Sequence, residues 1–275
     1  MNAPMPHHRF PEIHSNDAAT ADWNSALYLK FERERTRAAQ DLLSRLPDFG
    51  PKRIVDLGCG PGNSTALLAL RFPHAEIVGL DTSENMLSVA QTRMASATFV
   101  KQDIVDWRPE APVDLIFANA ALHFAPNHHE LMGKLVSFLA PGGLLAVQMP
   151  NILLEVSHAL IRMVAADGPW ASRLVPVAKT RALISSLDDY YSWLAPITQK
   201  FEIWQTTYVH PLDGPDAIVD WFEGSALRPF LELLDAKERG AFLAAYRAEL
   251  DEAYPTQKDG KVLLLYPRLF FVAQR

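Results

Sequence analysis

The sequence predicts an α/β fold, a doubly wound and mostly parallel sheet of seven strands with helices on both faces. Two patterns support this prediction. From residue 53 to residue 150, continuous apolar runs alternate with helical segments, which is typical of parallel sheets covered on both faces. After residue 150 helical segments dominate and two more strands follow. We therefore expect a helical cap over the carboxyl ends of the strands.

The first part of the chain combines an N-terminal helix with five strands. Residues 1–21 form a polar arm that we expect to be flexible, whereas apolar residues recur at helical spacing over 22–46. The predicted strands cover residues 53–57, 75–81, 97–103, 113–122 and 142–150. Helices are predicted over residues 63–71, 83–94 and 129–139. Ser83 suits the N-terminal cap of the second of these helices. Residues 22–150 are therefore expected to form the sheet core.

The second part, residues 151–275, completes the same sheet and adds the cap. Strands are predicted over residues 202–210 and 261–274. The segment between them is helical and breaks at Gly224 and Pro229, and Pro267 is expected to interrupt or bulge the last strand. We expect the two late strands to pair as a hairpin whose connection has expanded into helices over one end of the sheet.

Composition and charge narrow the class of partner. Hydrophobic residues make up 49% of the chain and the formal net charge is −6, which argues against nucleic acid because phosphate binding needs a basic face. The single cysteine, Cys59, cannot form an intrachain disulfide, as expected in a reducing cytoplasm. No apolar stretch is long enough to span a bilayer, and no histidine, cysteine and acid cluster has metal-ligand spacing. We expect a cytoplasmic monomer without a membrane or metal partner.

A glycine-rich turn follows the first predicted strand. It reads Asp56-Leu57-Gly58-Cys59-Gly60-Pro61-Gly62, and in doubly wound sheets ligands bind beyond the carboxyl ends of the strands, where this turn lies. Glycines without Cβ let a ligand approach the backbone closely. The dinucleotide fingerprint requires a third glycine where Asn63 stands. The carboxylate of Asp56 would repel a pyrophosphate and suits a cationic group such as an ammonium or a sulfonium.

Three further polar residues end the next strands. Asp81 ends the second strand, where a carboxylate can accept hydrogen bonds from both hydroxyls of a ribose. Asp103 ends the third strand, and the adjacent Ile104 can pack on a flat base. Asn119 ends the fourth strand. These residues predict a site for a nucleoside that carries a cationic group.

This order of acid, glycine turn, acid and acid resembles the class I S-adenosylmethionine-dependent methyltransferases, whose sheet is Rossmann-like. The resemblance implies S-adenosylmethionine as cofactor and S-adenosylhomocysteine as product. It places the glycine turn beside the methionine part, Asp81 on the ribose and Asp103 near the adenine amine. Thr82 and Met86 are assigned to the same site. The segment "LAPGGLLAVQ" (139–148) also resembles the family's turn into its fifth strand.

Segments outside this region resemble a narrower bacterial family, the trans-aconitate 2-methyltransferases. They are "DWNSALYLKFERERTRAAQDLL" (22–43), "NAALHF" (119–124), "WFEGSALRPFL" (221–231) and "EAYPTQKDGKVLLLYPRLFFVA" (252–273). The resemblance covers almost the whole chain and implies formation of a monomethyl ester on a carboxylate of trans-aconitate or of a similar small polycarboxylate.

An acceptor with several carboxylates needs cations and hydrogen-bond donors around it. Arg228 and Arg268 lie in apolar segments, and a guanidinium can bind a carboxylate through two parallel hydrogen bonds. Tyr266 could donate a further bond, and Arg35 is a secondary candidate. The remaining candidates for this site are His123, Trp23 and Tyr28.

Two alternatives stay open from the sequence. A carboxylate is already ionised at neutral pH, with a usual pKa of about 4, so its methylation needs no general base. A phenol or amine acceptor would need one, and His123 is the candidate for that role. A module that binds S-adenosylmethionine without catalysis is the second alternative. A nucleotide-linked oxidoreductase is disfavoured by Asn63 and Asp56.

Overall fold

One mixed sheet of seven strands organises the computed structural model, which describes residues 30–180 and 183–275. The strands are β1 (Arg53–Leu57), β2 (Glu76–Asp81), β3 (Thr98–Lys101), β4 (Val113–Asn119), β5 (Leu139–Pro150), β6 (Lys200–Leu212) and β7 (Val262–Gln274). Their order is β3-β2-β1-β4-β5-β7-β6, with β1 to β5 parallel and β7 antiparallel between β5 and β6. The predicted doubly wound sheet and its late hairpin are confirmed.

Helices cover both faces of this sheet. They are α1 (Glu32–Ser44), α2 (Asn63–Arg71), α3 (Glu84–Arg93), α4 (His128–Ser137), α5 (Val156–Ala166), α6 (Ala171–Thr180), α7 (Leu187–Leu194), α8 (Pro215–Glu223), α9 (Arg228–Leu231) and α10 (Ala236–Ala253). Alternate residues of each central strand point to opposite faces. Leu115 and Phe117 of β4 join the cluster that contains α1 and the cap, whereas Ile116 and Ala118 join the cluster that contains α4 and α7.

The cap consists of α5, α6 and the helices between the two late strands. Helix α10 packs on α5, α6 packs on α5, and α8 contacts β6. Their apolar side chains share one core with α1 and with the sheet face below it. The break expected at Gly224 is confirmed, because α8 ends at Glu223. The break expected at Pro229 is not observed, because Pro229 lies in the first turn of α9, where a proline is tolerated.

Local sequence signals predicted some of the helix ends correctly. Helix α2 has its predicted ends, and the Ser83 hydroxyl accepts a hydrogen bond from the Met86 amide at 3.1 Å, as expected of a cap. The prediction of β4 as far as residue 122 is wrong. The strand ends at Asn119, because Ala120 adopts a positive φ of 54° and a 3-10 helix follows over Leu122–Phe124.

Pro267 neither ends nor bulges the last strand, contrary to the expectation. The register runs without a shift from Lys200–Gln274 to Leu212–Val262, with Thr207 opposite Pro267. On the other side of β7, the pairing with β5 ends at Pro150–Arg268, next to Pro267. The Asn151 amide, just after β5, donates a hydrogen bond to the Pro267 carbonyl at 2.9 Å. The proline nitrogen faces the same side as that carbonyl, where β5 has ended, so its missing N–H removes no ladder bond.

The predicted arm over residues 1–21, together with Trp23 and Tyr28, lies outside the described residues. Of the predicted helix over 22–46, the described portion is α1, with buried Ala38, Ala39, Leu42 and Leu43. The division into a core at 22–150 and a cap region at 151–275 stays a prediction.

Candidate active site

The glycine turn between β1 and α2 is held against two neighbouring loops. Gly58 has a φ of +67°, and a Cβ there would lie 2.3 Å from the Cβ of Ala121 in the segment after β4. Gly60 has a φ of +54°, and a Cβ there would meet nothing within 4 Å. A side chain is thus excluded at Gly58 by a close contact, whereas Gly60 exposes its backbone to open space.

That open space is a cavity of about 340 Å³ at the carboxyl ends of β1, β2 and β4. Residues from all three strand ends and from the loop after β3 line it: Gly58, Gly60, Pro61, Asp81, Thr82, Met86, Gln102, Asp103, Ile104, Val105, Asn119, Ala120, Ala121, Phe124, Ala125 and Pro126. The structure therefore brings together eight of the ten predicted cofactor residues, namely Gly58, Gly60, Asp81, Thr82, Met86, Asp103, Ile104 and Asn119.

Asp81 connects the turn to the cavity. Its Oδ2 accepts a hydrogen bond from the Gly60 amide at 2.9 Å, and its Oδ1 accepts one from the Ser83 amide at 2.9 Å. Each carboxylate oxygen has a second lone pair. The side chain holds the turn and also lines the cavity, where a carboxylate can accept hydrogen bonds from the hydroxyls of a ribose.

Asp103 and Ile104 form the side of the cavity that follows β3. The Asp103 Oδ1 accepts a hydrogen bond from the Val105 amide at 2.7 Å, which fixes the loop in a tight turn. Ile104 and Met86 offer apolar surface on the same cavity. A flat heterocyclic base suits this combination of an acceptor with apolar walls.

Asn119 and Arg35 face the other side of the turn. The Asn119 Oδ1 is buried and has no hydrogen-bond partner among the described residues, so it can accept from a ligand ammonium. Arg35 of α1 shares a small cleft with Asn119, Gly58 and Gly60. The sequence predicted Arg35 only as a secondary residue of the acceptor site, because no residue pattern in α1 shows that this helix packs beside the glycine turn.

Asp56 lies behind the turn rather than on the cavity. It is fully buried, and its Oδ2 accepts hydrogen bonds at 2.7 Å from both Ser64 Oγ and Thr65 Oγ1 in the first turn of α2. Burial raises the pKa of Asp56 to about 7, the two hydroxyl bonds oppose that rise, and the nearby Asp81 adds to it. The structure thus corrects the expected direct contact with a cationic ligand. Asp56 ties α2 to β1 instead.

Gly62 is also outside the cavity lining. A Cβ built there would lie 3.3 Å from the Cβ of Ala90, so this glycine lets α2 approach α3 closely. Asp56 and Gly62 therefore position the glycine turn and α2 without lining the cavity.

A second cavity of about 340 Å³ adjoins the first and shares Phe124, Ala125 and Pro126 with it. His123, Tyr266, the end of β5 and cap residues such as Phe222 and Ser225 line this space. The ring of His123 lies 3.9 Å from that of Phe124. An acceptor in the second cavity would therefore meet a donor group bound in the first.

The two arginines proposed for the acceptor have different surroundings. Arg268 is 3% exposed, donates from Nη1 to Gln148 Oε1 at 3.2 Å, and lies over the Tyr266 ring at 4.5 Å. Arg228 is half-buried and donates from Nε to Glu232 Oε1 at 2.7 Å, one turn along the chain. Neither arginine is on the lining of the second cavity, but Arg268 contacts Tyr266, which is.

Comparison with known proteins agrees with this geometry. A methyltransferase-domain family model matches residues 54–143. The chain is 53% identical over 255 residues to a trans-aconitate 2-methyltransferase of Methylobacterium nodulans, covering 93% of this chain and 99% of the relative. It is 49% identical to one of Variovorax paradoxus, over 92% of this chain and 98% of the relative.

The chain belongs to the trans-aconitate 2-methyltransferase family. Its fold is shared with solved structures at low identity. The YcgJ protein of Bacillus subtilis is 12% identical with a TM-score of 0.56, over 87% of this chain and 98% of the other. Phosphoethanolamine N-methyltransferase 2 of Haemonchus contortus, solved with S-adenosylmethionine, is 18% identical with a TM-score of 0.51, over 87% of this chain and 52% of the other.

As a trans-aconitate 2-methyltransferase family member, the protein is an S-adenosylmethionine-dependent methyltransferase. The residues present fit that cofactor: the open backbone at Gly60, the carboxylate of Asp81 and the buried, unpartnered oxygen of Asn119 surround one cavity. No group of three metal-ligating side chains occurs among residues 30–180 and 183–275. Within the same ranges no helix is long and apolar enough to cross a membrane.

Proposed function

We propose that this enzyme transfers the methyl group of S-adenosylmethionine to one carboxylate of trans-aconitate, or of a similar small polycarboxylate, and forms a monomethyl ester. The observation that carries this proposal is the junction of the two cavities at Phe124, Ala125 and Pro126. Family membership supports the choice of acceptor, because the relatives are trans-aconitate 2-methyltransferases.

In this proposal the first cavity holds the cofactor. Asp81 accepts from the ribose hydroxyls while it keeps the backbone of Gly60 in place. Asp103 lies near the adenine amine and Ile104 packs on the ring. Asn119 accepts from the ammonium of the methionine part. The bound cofactor supplies a sulfonium-activated methyl group.

The protein's contribution to the reaction is mainly positioning. The acceptor carboxylate is ionised at neutral pH and needs no proton removed. The second cavity holds the carboxylate in line with the methyl group and keeps water away from the attacking oxygen. The buried guanidinium of Arg268, beside Tyr266, binds the carboxylates that do not react. Arg228, Trp23 and Tyr28 stay predictions for this role.

His123 is the observation that favours a second candidate, methylation of a phenol or an amine. Its side chain lines the second cavity, where it could take a proton from the acceptor. In carboxylate methylation the same side chain has no proton to remove and serves as a wall of the cavity.

Acceptor-dependent release of S-adenosylhomocysteine distinguishes these functions. The acceptors would be trans-aconitate, cis-aconitate, citrate, isocitrate, a phenol panel and an amine panel. We expect release with trans-aconitate and little or none with phenols or amines. Release only with phenols or amines would contradict the proposal and favour a role for His123 as base.

We also propose that the enzyme acts as a monomer in the cytoplasm on a small molecule and binds no nucleic acid. The acidic net charge of −6 supports the absence of nucleic-acid binding, and the single, buried Cys59 supports a reducing compartment. Light scattering on the purified protein would test the oligomeric state.

A further inference from the structure

A cluster of buried polar side chains lies between β5, β6, β7, α1 and α8. We define the donor cluster as Gln148, His210, Trp221 and Arg268. Gln148 and Arg268 share a hydrogen bond, and the His210 and Trp221 rings are 4.8 Å apart. Tyr266 joins the two pairs, because its ring centroid is 4.5 Å from the Arg268 guanidinium carbon and 5.6 Å from the Trp221 ring.

The register of the strands explains why these residues meet. Alternate residues of a strand share a face, so Tyr266 and Arg268 of β7 point to the same side. Tyr266 is opposite Tyr208 in β6, and His210 follows two residues later on that side. The strands β6 and β7 extend past the end of β5 at Pro150. Gln148 and Arg268 are therefore at the carboxyl edge of the parallel sheet, with Tyr266 and His210 beyond it, next to the active site.

Three atoms of the donor cluster are buried without a hydrogen-bond partner among the described residues. They are Gln148 Nε2, Trp221 Nε1 and His210 Nε2. The amide and indole nitrogens can only donate, and an imidazole nitrogen can donate in one tautomer. Buried donors left unpaired cost free energy, so their concentration at one place indicates a ligand that accepts hydrogen bonds.

The arginines around the donor cluster favour an anionic ligand. Arg268 is 3% exposed, and Arg35 donates from Nη2 to the Trp221 carbonyl at 3.0 Å with its guanidinium carbon 5.2 Å from the indole ring. Burial lowers the pKa of His210 to about 4, and the positive charges of Arg268, Arg37 and Arg35 contribute. The imidazole is therefore neutral, and its positive surroundings favour an anion nearby.

We infer that the donor cluster binds the carboxylates of the acceptor that do not react, with Trp221, Gln148 and His210 donating hydrogen bonds and Arg268 donating its guanidinium. This inference rests on the proposed function and adds residues that select a polycarboxylate over an acid with fewer carboxylates. Tyr266 lines the second cavity and contacts the Trp221 and His210 rings. Because Tyr266 is on the lining of that cavity and the four residues of the donor cluster are not, the Tyr266 ring must move when the acceptor binds.

Two substitutions remove donors while they preserve packing. Trp221→Phe removes the indole N–H and keeps an aromatic ring in the core. Gln148→Glu keeps an oxygen for Arg268 to donate to and replaces the unpaired N–H₂ by a negatively charged acceptor. Trp204→Phe is the matched control, because Trp204 stacks on Phe270 of β7 at 5.1 Å and is not part of the donor cluster.

The experiment measures the dissociation constant of trans-aconitate in the presence of saturating S-adenosylhomocysteine, by calorimetry on the full chain. We expect Trp221→Phe to weaken binding about tenfold, as for loss of one hydrogen bond to a charged group. Gln148→Glu should weaken it more, because it adds repulsion. Trp204→Phe should bind as the wild type does. Thermal unfolding and S-adenosylhomocysteine affinity, unchanged in all variants, would show that the fold is intact.

An acceptor with one carboxylate fewer distinguishes loss of a carboxylate contact from a general effect of the substitution on packing. Mesaconate carries two carboxylates, and the penalty for Trp221→Phe or for Gln148→Glu should be smaller with mesaconate than with trans-aconitate. If both variants bind trans-aconitate within twofold of the wild type, the donor cluster is not the acceptor site. If the wild type forms no ester with trans-aconitate, the proposed function fails independently, whatever the variants bind.

Discussion

Replacing Asp81 by alanine should weaken the binding of S-adenosylhomocysteine by about 10- to 100-fold. The carboxylate accepts from two backbone amides, of Gly60 and Ser83, each at 2.9 Å, and it lines the cavity in which we place the ribose. A hydrogen bond to a charged group contributes about 1.5–3 kcal/mol, and each 1.4 kcal/mol is about tenfold in affinity. Loss of one hydrogen bond to the ribose therefore accounts for the tenfold end of this range, and loosening of the glycine turn weakens binding further.

Isothermal titration with S-adenosylhomocysteine measures this effect, with thermal unfolding as the check on folding. Asp81→Asn is the informative partner, because it keeps one oxygen and replaces the other by a donor. We expect the asparagine variant to fall between the wild type and the alanine variant. Affinity within twofold of the wild type for a folded Asp81→Ala protein would remove Asp81 from the ribose role and place the cofactor elsewhere.

Three further predictions concern the acceptor and the buried acid. Arg268→Ala should raise the KM for trans-aconitate at least about tenfold, and Arg228→Ala should raise it less, because its guanidinium already binds Glu232; equal KM values for both variants would contradict this order. His123→Asn should lower kcat less than about tenfold with a carboxylate acceptor, whereas a fall of 100-fold or more would indicate general-base catalysis. Asp56 has its pKa raised from 3.8 to about 7, so the folded state favours its protonated form. This stabilisation is complete below pH 4 and is lost as the pH rises through 7, in total about 4 kcal/mol. Urea unfolding at pH 4 and pH 7.5 should therefore show a smaller loss of stability in Asp56→Asn than in the wild type.

Local sequence signals predicted the parts of the fold that depend on neighbouring residues. The cap at Ser83 and the bounds of α2 depend on side chains within a few positions of each helix end. The alternation of apolar strands with helices predicted that the first part of the sheet is parallel and covered on both faces. The end of β4 was predicted wrongly because Ala120 adopts a positive φ, and an alanine in the sequence gives no sign of that backbone conformation.

The site itself depends on contacts between residues that are far apart in the chain, and the sequence predicted only some of these contacts. The sequence correctly placed Asp81 and Asn119 on one cavity, because strand ends meet at one edge of a parallel sheet. The position of Asp56 was mistaken because the hydroxyls of Ser64 and Thr65 bind it from behind the turn. The pairing of Arg268 with Gln148 spans 120 positions and depends on the antiparallel register of β5 and β7.

Transfer of a labelled methyl group from S-adenosylmethionine to trans-aconitate by the wild-type enzyme tests the central claim most directly. We predict a base-labile ester on trans-aconitate, formed in equal amount with S-adenosylhomocysteine. Label that appears only on a phenol or an amine, or no transfer by a protein that binds S-adenosylhomocysteine tightly, would contradict it.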